Sequence, residues 1–242
     1  MEAKSLTFFE HLEELRRRLL ISLIAFSVAA GVGYLYSDKA LRFLMRPITA
    51  HINEIYFFSP AEAFLVKVKV ALFLGVIGAS PVIASQLWLF VSPALRPVER
   101  KAIWPLIILT TVLFLTGVCV SFFAVSPMAL NFLVGMQNEF LKPMISITEY
   151  LNFLTGMLLA FGVAFNLPVV IMGLVFAGIL NAKTLNQYQR HVIVLIFVAA
   201  AILTPGPDIA SQLFLALPLV ALFELSVLGA LLIAWMRRKD KK

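Results

Sequence analysis

Charge is scarce in this sequence: 14% of its 242 residues are Asp, Glu, Lys or Arg, where an ordinary soluble domain carries roughly a quarter. With 61% hydrophobic residues, the apolar excess is more than a water-soluble core can absorb. Cysteine is nearly absent. Cys119 stands alone inside an apolar run, and its count excludes an internal disulfide or a cysteine-based zinc site. Histidine is limited to His11, His51 and His191, far apart in the chain, and there is no G-x-S-x-G, no H-E-x-x-H and no phosphate-cradling glycine loop. These gaps argue against an enzyme, and no metal or cofactor is expected. Linkers and low-complexity segments are also missing, so residues 1–242 read as a single membrane domain.

What is present is a series of long apolar runs. They cover about 19–36, 70–90, 102–125, 151–180, 192–203 and 213–235. A bilayer core roughly 30 Å thick needs about 20 apolar residues per helix, and lipid leaves no irregular backbone satisfied, so the expected fold is all-α with six transmembrane helices. Pairs such as Arg46-Pro47, Ser59-Pro60, Ser92-Pro93, Ser126-Pro127 and Lys142-Pro143 punctuate the runs, because proline cannot continue a helix. The fifth run is anomalous: at 1.5 Å per residue, 192–203 reaches only about 18 Å. A locally thin bilayer, or a turn at Thr204 to Asp208 sunk inside a protein cavity, would accommodate it. The first run is too long for a signal-peptide core and no cleavage site follows it, so it is expected to stay as an anchor.

Positive charge is distributed unevenly about the runs. Fourteen of the 20 Lys and Arg residues fall at the amino terminus, in the second and fourth loops and at the carboxy terminus. Both ends are therefore expected in the cytoplasm, where basic residues near helix ends are retained. The net charge of +7 suits anionic headgroups rather than nucleic acid. Trp88, Trp104 and Trp235 read as interfacial anchors, and the glycines within the runs as points of close helix packing.

Few polar residues remain to carry chemistry. In HLEELRRRLL (His11 to Leu20), Glu13 and Glu14 stand four residues before Arg17 and Arg18. That spacing suits intrahelical salt bridges, and it equally leaves Glu14 at the interface as a bidentate acceptor for a partner's arginine. Glu99 lies in the same layer. At membrane depth are Asn166, just before Pro168, and Glu224, about 20 Å before Arg237 along the sixth run. An intramembrane carboxyl suggests function, though both residues also fit interhelical hydrogen bonds. Asp208 and Gln212 are placed to cap the sixth helix.

In chain order, HLEELRRRLL, SPAEAF, SPVIASQLWLFVSPALRPVERK, FGVAFNLPVV and TPGPDIASQLFLALPLVALFE resemble the TatC family, the signal-receptor subunit of the twin-arginine translocase. The resemblance implies a concave helical scaffold in the inner membrane. Such a scaffold binds the twin-arginine signal peptides of folded cargo, self-associates, and recruits TatA-type and TatB-type single-span proteins. Export is then driven by the proton-motive force without nucleotide hydrolysis. By position, Glu14 and Glu99 match the family's carboxylates for the arginine pair. Arg16, Arg18 and Arg100 match basic positions beside them, and Phe90 and Pro93 the segment shaping the second loop. Pro47 matches a proline of the first outward loop, Asp208 and Gln212 the outward turn, and Glu224 the acidic position of the last span. Asn166 stands where the family usually has Glu or Gln, so it can hydrogen-bond a partner helix but cannot be charged. The competing readings are a secondary transporter with a midplane polar site, which would want internal repeats around it, and an intramembrane enzyme, for which Asn166 and Glu224 supply neither nucleophile nor metal site.

Overall fold

The structure is a computed structural model that describes residues 8–49, 55–94, 103–135, 144–176, 182–203 and 209–239. The described residues form helices almost throughout: α1 Phe8–Leu35, α2 Ser37–Leu44, α3 Arg46–Thr49, α4 Pro60–Val91, α5 Ile103–Val120, α6 Ser126–Gly135, α7 Ile147–Ala164, α8 Leu167–Phe176, α9 Ala182–Leu203 and α10 Ile209–Lys239. The sole extended pairing among them is a bridge of Tyr56 with Ser146, in which Tyr56 N donates to Ile145 O and Ile147 N to Tyr56 O. It ties the loop before α4 to the loop before α7.

Local chemistry accounts for where the helices start. Ser59 caps α4 by accepting from Ala61 N at 3.3 Å, Pro60 fills the first position, where no donor is needed, and Glu62 Oε2 accepts from Phe58 N at 2.8 Å. This is why SPAEAF opens a helix. Ser146 does the same for α7, accepting from Thr148 N at 3.1 Å. In the third apolar run, Pro127 has no N–H to give. The chain there widens into a π turn at Ser121–Val125, with Ser126 donating both its N–H and its Oγ–H to Ser121 O. α5, this turn and α6 run on as one apolar path from Ile103 to Phe132.

Four helical stretches are long and apolar enough to cross a membrane: Phe9–Leu35, Pro60–Val91, Ile103–Phe132 and Ile147–Gly173. Two shorter apolar helices, Gln187–Ile202 and Leu215–Gly229, make six. The outward faces are apolar, as lipid demands. On α1, Leu19, Leu23, Ile24 and Val28 are all exposed, which in water would be costly. Inside, α1 packs along α4, α4 along α5, α5 along α7, and α10 against α8 and α9. Leu151, Leu154, Phe161, Leu215 and Phe223 lie at the centre, none more than 2% exposed.

Several helices differ from the apolar runs that marked them. α4 begins ten residues before Val70, because Lys67 and Lys69 interrupt hydropathy but not helicity. The fourth run is divided at Phe165 and Asn166 into α7 and α8. The short fifth run is the apolar part of a 22-residue helix, α9, whose first turns are polar. Trp88 is not an interfacial anchor: it is 5% exposed, and its indole N–H donates to Thr110 Oγ1 at 2.8 Å across α4 and α5. Trp104 is 74% exposed, and the side chain of Trp235 lies outside the described residues. Gly75, Gly117 and Gly162 do mark close helix approaches, whereas Gly31 has open space around it.

Candidate functional site

The amino-terminal half of α1 crosses the carboxy-terminal half of α4, and the polar groups between them form the first candidate site. Arg18 Nη2 donates to Glu14 Oε1 at 3.2 Å, one helical turn back, while its Nη1 donates to Gln86 Oε1 of α4 at 3.1 Å. Gln86 in turn donates to Ser85 Oγ at 3.3 Å. Both partners of the ion pair are about three-quarters covered, with side-chain exposures of 25% for Arg18 and 22% for Glu14. One turn earlier, His11 stacks on Phe90, ring centroids 4.5 Å apart, which fixes the start of α1 against the end of α4.

Below Arg18 the two helices leave an open groove of about 360 Å³, lined by Leu19, Leu23, Phe26, Ile83, Leu87 and Phe90. A carboxylate at the mouth of an apolar trough is suited to a ligand that carries cations at one end and an apolar segment behind them. Arg16 is exposed on the same helix, and Pro93 is exposed in the short 3-10 turn that closes α4. Glu99 and Arg100 lie outside the described residues.

The salt-bridge spacing at Glu14 is thus occupied. Gln86, which links the pair to α4, was not among the residues singled out from sequence. Its signal was available: an amide inside an otherwise apolar run is as conspicuous as Asn166. Gln189 gave no such signal, since it stands among the polar first turns of α9.

The deeper polar residues do not converge. Glu224 of α10 accepts a short hydrogen bond from the Gln189 side chain of α9. Gln212 Nε2 donates to Phe197 O at 2.9 Å, also linking α10 to α9, but 12 residues or about 18 Å from Glu224. It is a cross-link between helices rather than a cap, and Asp208 lies outside the described residues. Asn166 Nδ2 donates to Gly162 O at 3.0 Å within its own helical segment, not to a neighbouring helix, and its Oδ1 is buried without a partner. Pro47 is buried in α3. Among the described residues no cluster of three His, Cys, Asp or Glu is placed to hold a metal.

A sequence model of the family described as Sec-independent protein translocase protein (TatC) matches residues 10–218. The chain belongs to the TatC family. It is 41% identical over 227 residues to the Sec-independent protein translocase protein TatC of Carboxydothermus hydrogenoformans, covering 94% of this chain and 93% of that one. The TatC of Aquifex aeolicus is 37% identical over 222 residues, covering 90% and 92%. The fold is that of a crystal structure of the twin-arginine translocase receptor TatC, with a TM-score of 0.85 at 36% identity, over 92% of this chain and 98% of that one. The six-helix membrane architecture and the translocase membership expected from the motifs are thereby established. TatC membership also removes the transporter reading; the two residues expected at midplane, Asn166 and Glu224, bond to Gly162 O and to Gln189 and not to each other.

Proposed function

We propose that this protein is the receptor subunit of a twin-arginine translocase in the inner membrane, both termini cytoplasmic, and that Glu14 and Glu99 receive the arginine pair of a cargo's signal peptide. The observation that supports this most is Glu14 at the head of the apolar groove between α1 and α4. Arg18 holds Glu14 Oε1 in the unliganded state, so an arriving guanidinium replaces one arginine by another rather than entering a bare acidic site. Exchange of this kind keeps the carboxylate paired throughout, avoiding a desolvated lone charge. The groove then takes the apolar segment that follows the arginines. Phe90 lines the groove, and Arg16, Arg100 and Pro93 are assigned to signal binding by their family positions.

The protein works by binding and assembly, with no chemical step of its own. TatA-type and TatB-type single-span helices dock on the α9–α10 side, where the half-buried Glu224, paired with Gln189, offers a polar partner. The proton-motive force drives export, and further copies of the chain associate in the complex.

The test is binding of the purified protein to signal peptides carrying Arg-Arg or Lys-Lys, with Glu14→Ala and Glu99→Ala as controls. Lysine keeps the charge but loses the planar fork that matches a carboxylate. The Arg-Arg peptide is expected to bind about tenfold or more tightly, a difference of about 1.4 kcal/mol, and each control to remove most of that margin. Equal affinity for the two peptides would falsify the receptor reading.

A further inference from the structure

Six Lys and Arg residues lie on the side of the molecule that retention of positive charge disfavours, and three of them, Lys39, Arg42 and Arg46, sit together at the carboxy-terminal end of α1. They occupy one face of α2 and the start of α3, at intervals of three and four residues, and all are exposed. None is within ion-pair distance of a carboxylate among the described residues. The nearest acidic group in sequence, Asp38, is engaged by Lys67 at 2.8 Å. Two of the three are instead propped by aromatic rings: Lys39 Nζ lies 5.8 Å from the Tyr36 ring centre and the Arg46 guanidinium 5.2 Å from that of Phe43.

Phe43 connects this basic face to a second feature. It stacks on Phe122 of the π turn at 4.7 Å and, with Ala40, Phe73, Ile77, Cys119 and Phe122, lines a wholly apolar cleft of about 190 Å³. The cleft opens between α2, α4 and the α5–π turn. Its floor is fixed, since Tyr150 Oη donates to Leu44 O at 2.6 Å and anchors the end of α2 to α7. Cations beside an apolar slot between membrane helices match a molecule with a phosphate head and a hydrocarbon tail.

We propose that α2 and the cleft behind it bind one anionic phospholipid, its phosphate held by Lys39, Arg42 and Arg46 and one acyl chain in the cleft. The orientation proposed above puts this lipid in the outer leaflet, but the site is defined by its position opposite Glu14 and does not depend on signal binding. Charge selects the lipid class. A zwitterionic head offers the same phosphodiester oxygens but brings its own cation beside them, whereas a phosphatidylglycerol-type diester brings a net negative charge to the three cations.

Cys119, the sole cysteine and one wall of the cleft, supplies the readout. Wild type and the triple variant Lys39→Gln, Arg42→Gln, Arg46→Gln are reconstituted in phosphatidylcholine vesicles with or without phosphatidylglycerol, and N-ethylmaleimide alkylation of Cys119 is timed. Phosphatidylglycerol is expected to slow alkylation several-fold in wild type and to have a much smaller effect in the triple variant. Equal melting of the two proteins in phosphatidylcholine confirms that the variant is folded. A slowing of the same size in the variant is a surface-potential effect and overturns the proposal. So does the absence of any slowing in wild type, or protection that appears only when an apolar single-span peptide is added, which gives the cleft to a protein helix.

Discussion

Arg18 illustrates how one side chain can tie two helices together. Its guanidinium spends one edge on Glu14 and another on Gln86, and its Nε is buried without a partner. Removing Gln86 therefore strips a partly covered charge of an acceptor it cannot replace with water, a loss of about 1–2 kcal/mol. Gln86→Leu is expected to lower the Tm by a few degrees, with Gln86→Glu restoring it because the acceptor returns. Unchanged melting of Gln86→Leu in the same detergent would mean that Arg18 is held by Glu14 alone. Sequence spacing pointed to the Glu14–Arg18 contact, since an i, i+4 pair on a helix has few other options. It could not reveal the third member, because Gln86 meets Arg18 across 68 positions of chain, and only the crossing of α1 and α4 brings them together.

At the scale of elements, hydropathy and proline marked six helices but not their ends. α4 starts at Pro60 because of its Ser59 cap, although Lys67 and Lys69 break the apolar run. The first of these pairs with Asp38, and the second donates to Asn152 Oδ1 at 2.7 Å. α9 starts well before its apolar stretch for a related reason: a polar turn is as helical as an apolar one once it continues an established helix. Packing between elements was legible only in its ingredients. A Cβ on Gly117 of α5 would fall 2.6 Å from Phe161 O of α7, and one on Gly162 of α7 would fall 2.7 Å from Phe114 Cε2 of α5. The two glycines thus let these helices touch backbone to backbone, as small residues do in membrane bundles. Gly117→Val is expected to force α5 and α7 apart at a cost of about 1–3 kcal/mol or more. The readout is a lower Tm in detergent, against Gly31→Val, where the space is open, as the neutral comparison. Equal melting of the two variants would show that the close approach is not needed.

The whole molecule is asymmetric in a way no single helix reveals. One end carries Glu14, Arg16, Arg17 and Arg18 on α1. The other carries α2, α3 and the Tyr56–Ser146 bridge, a small folded layer closed by side-chain and backbone hydrogen bonds. The first end has an open groove with a partly covered ion pair at its head. The second is built for rigidity, with Pro47 and Ile48 buried under it. That division fits a receptor that takes its ligand from the cytoplasm and anchors itself on the far side, and it makes the orientation testable in one experiment. In a Cys119→Ala background, single cysteines replace Glu13, exposed on α1, or Phe57, exposed before α4. A membrane-impermeant maleimide applied to intact cells stripped of any outer membrane is expected to label Phe57→Cys at once and Glu13→Cys only after the membrane is permeabilised. Retention of the basic end in the cytoplasm drives this outcome. The reverse pattern would put Glu14 on the wrong side for a signal arriving from the cytoplasm, and the receptor mechanism would fall with it even if arginine selectivity in detergent survived.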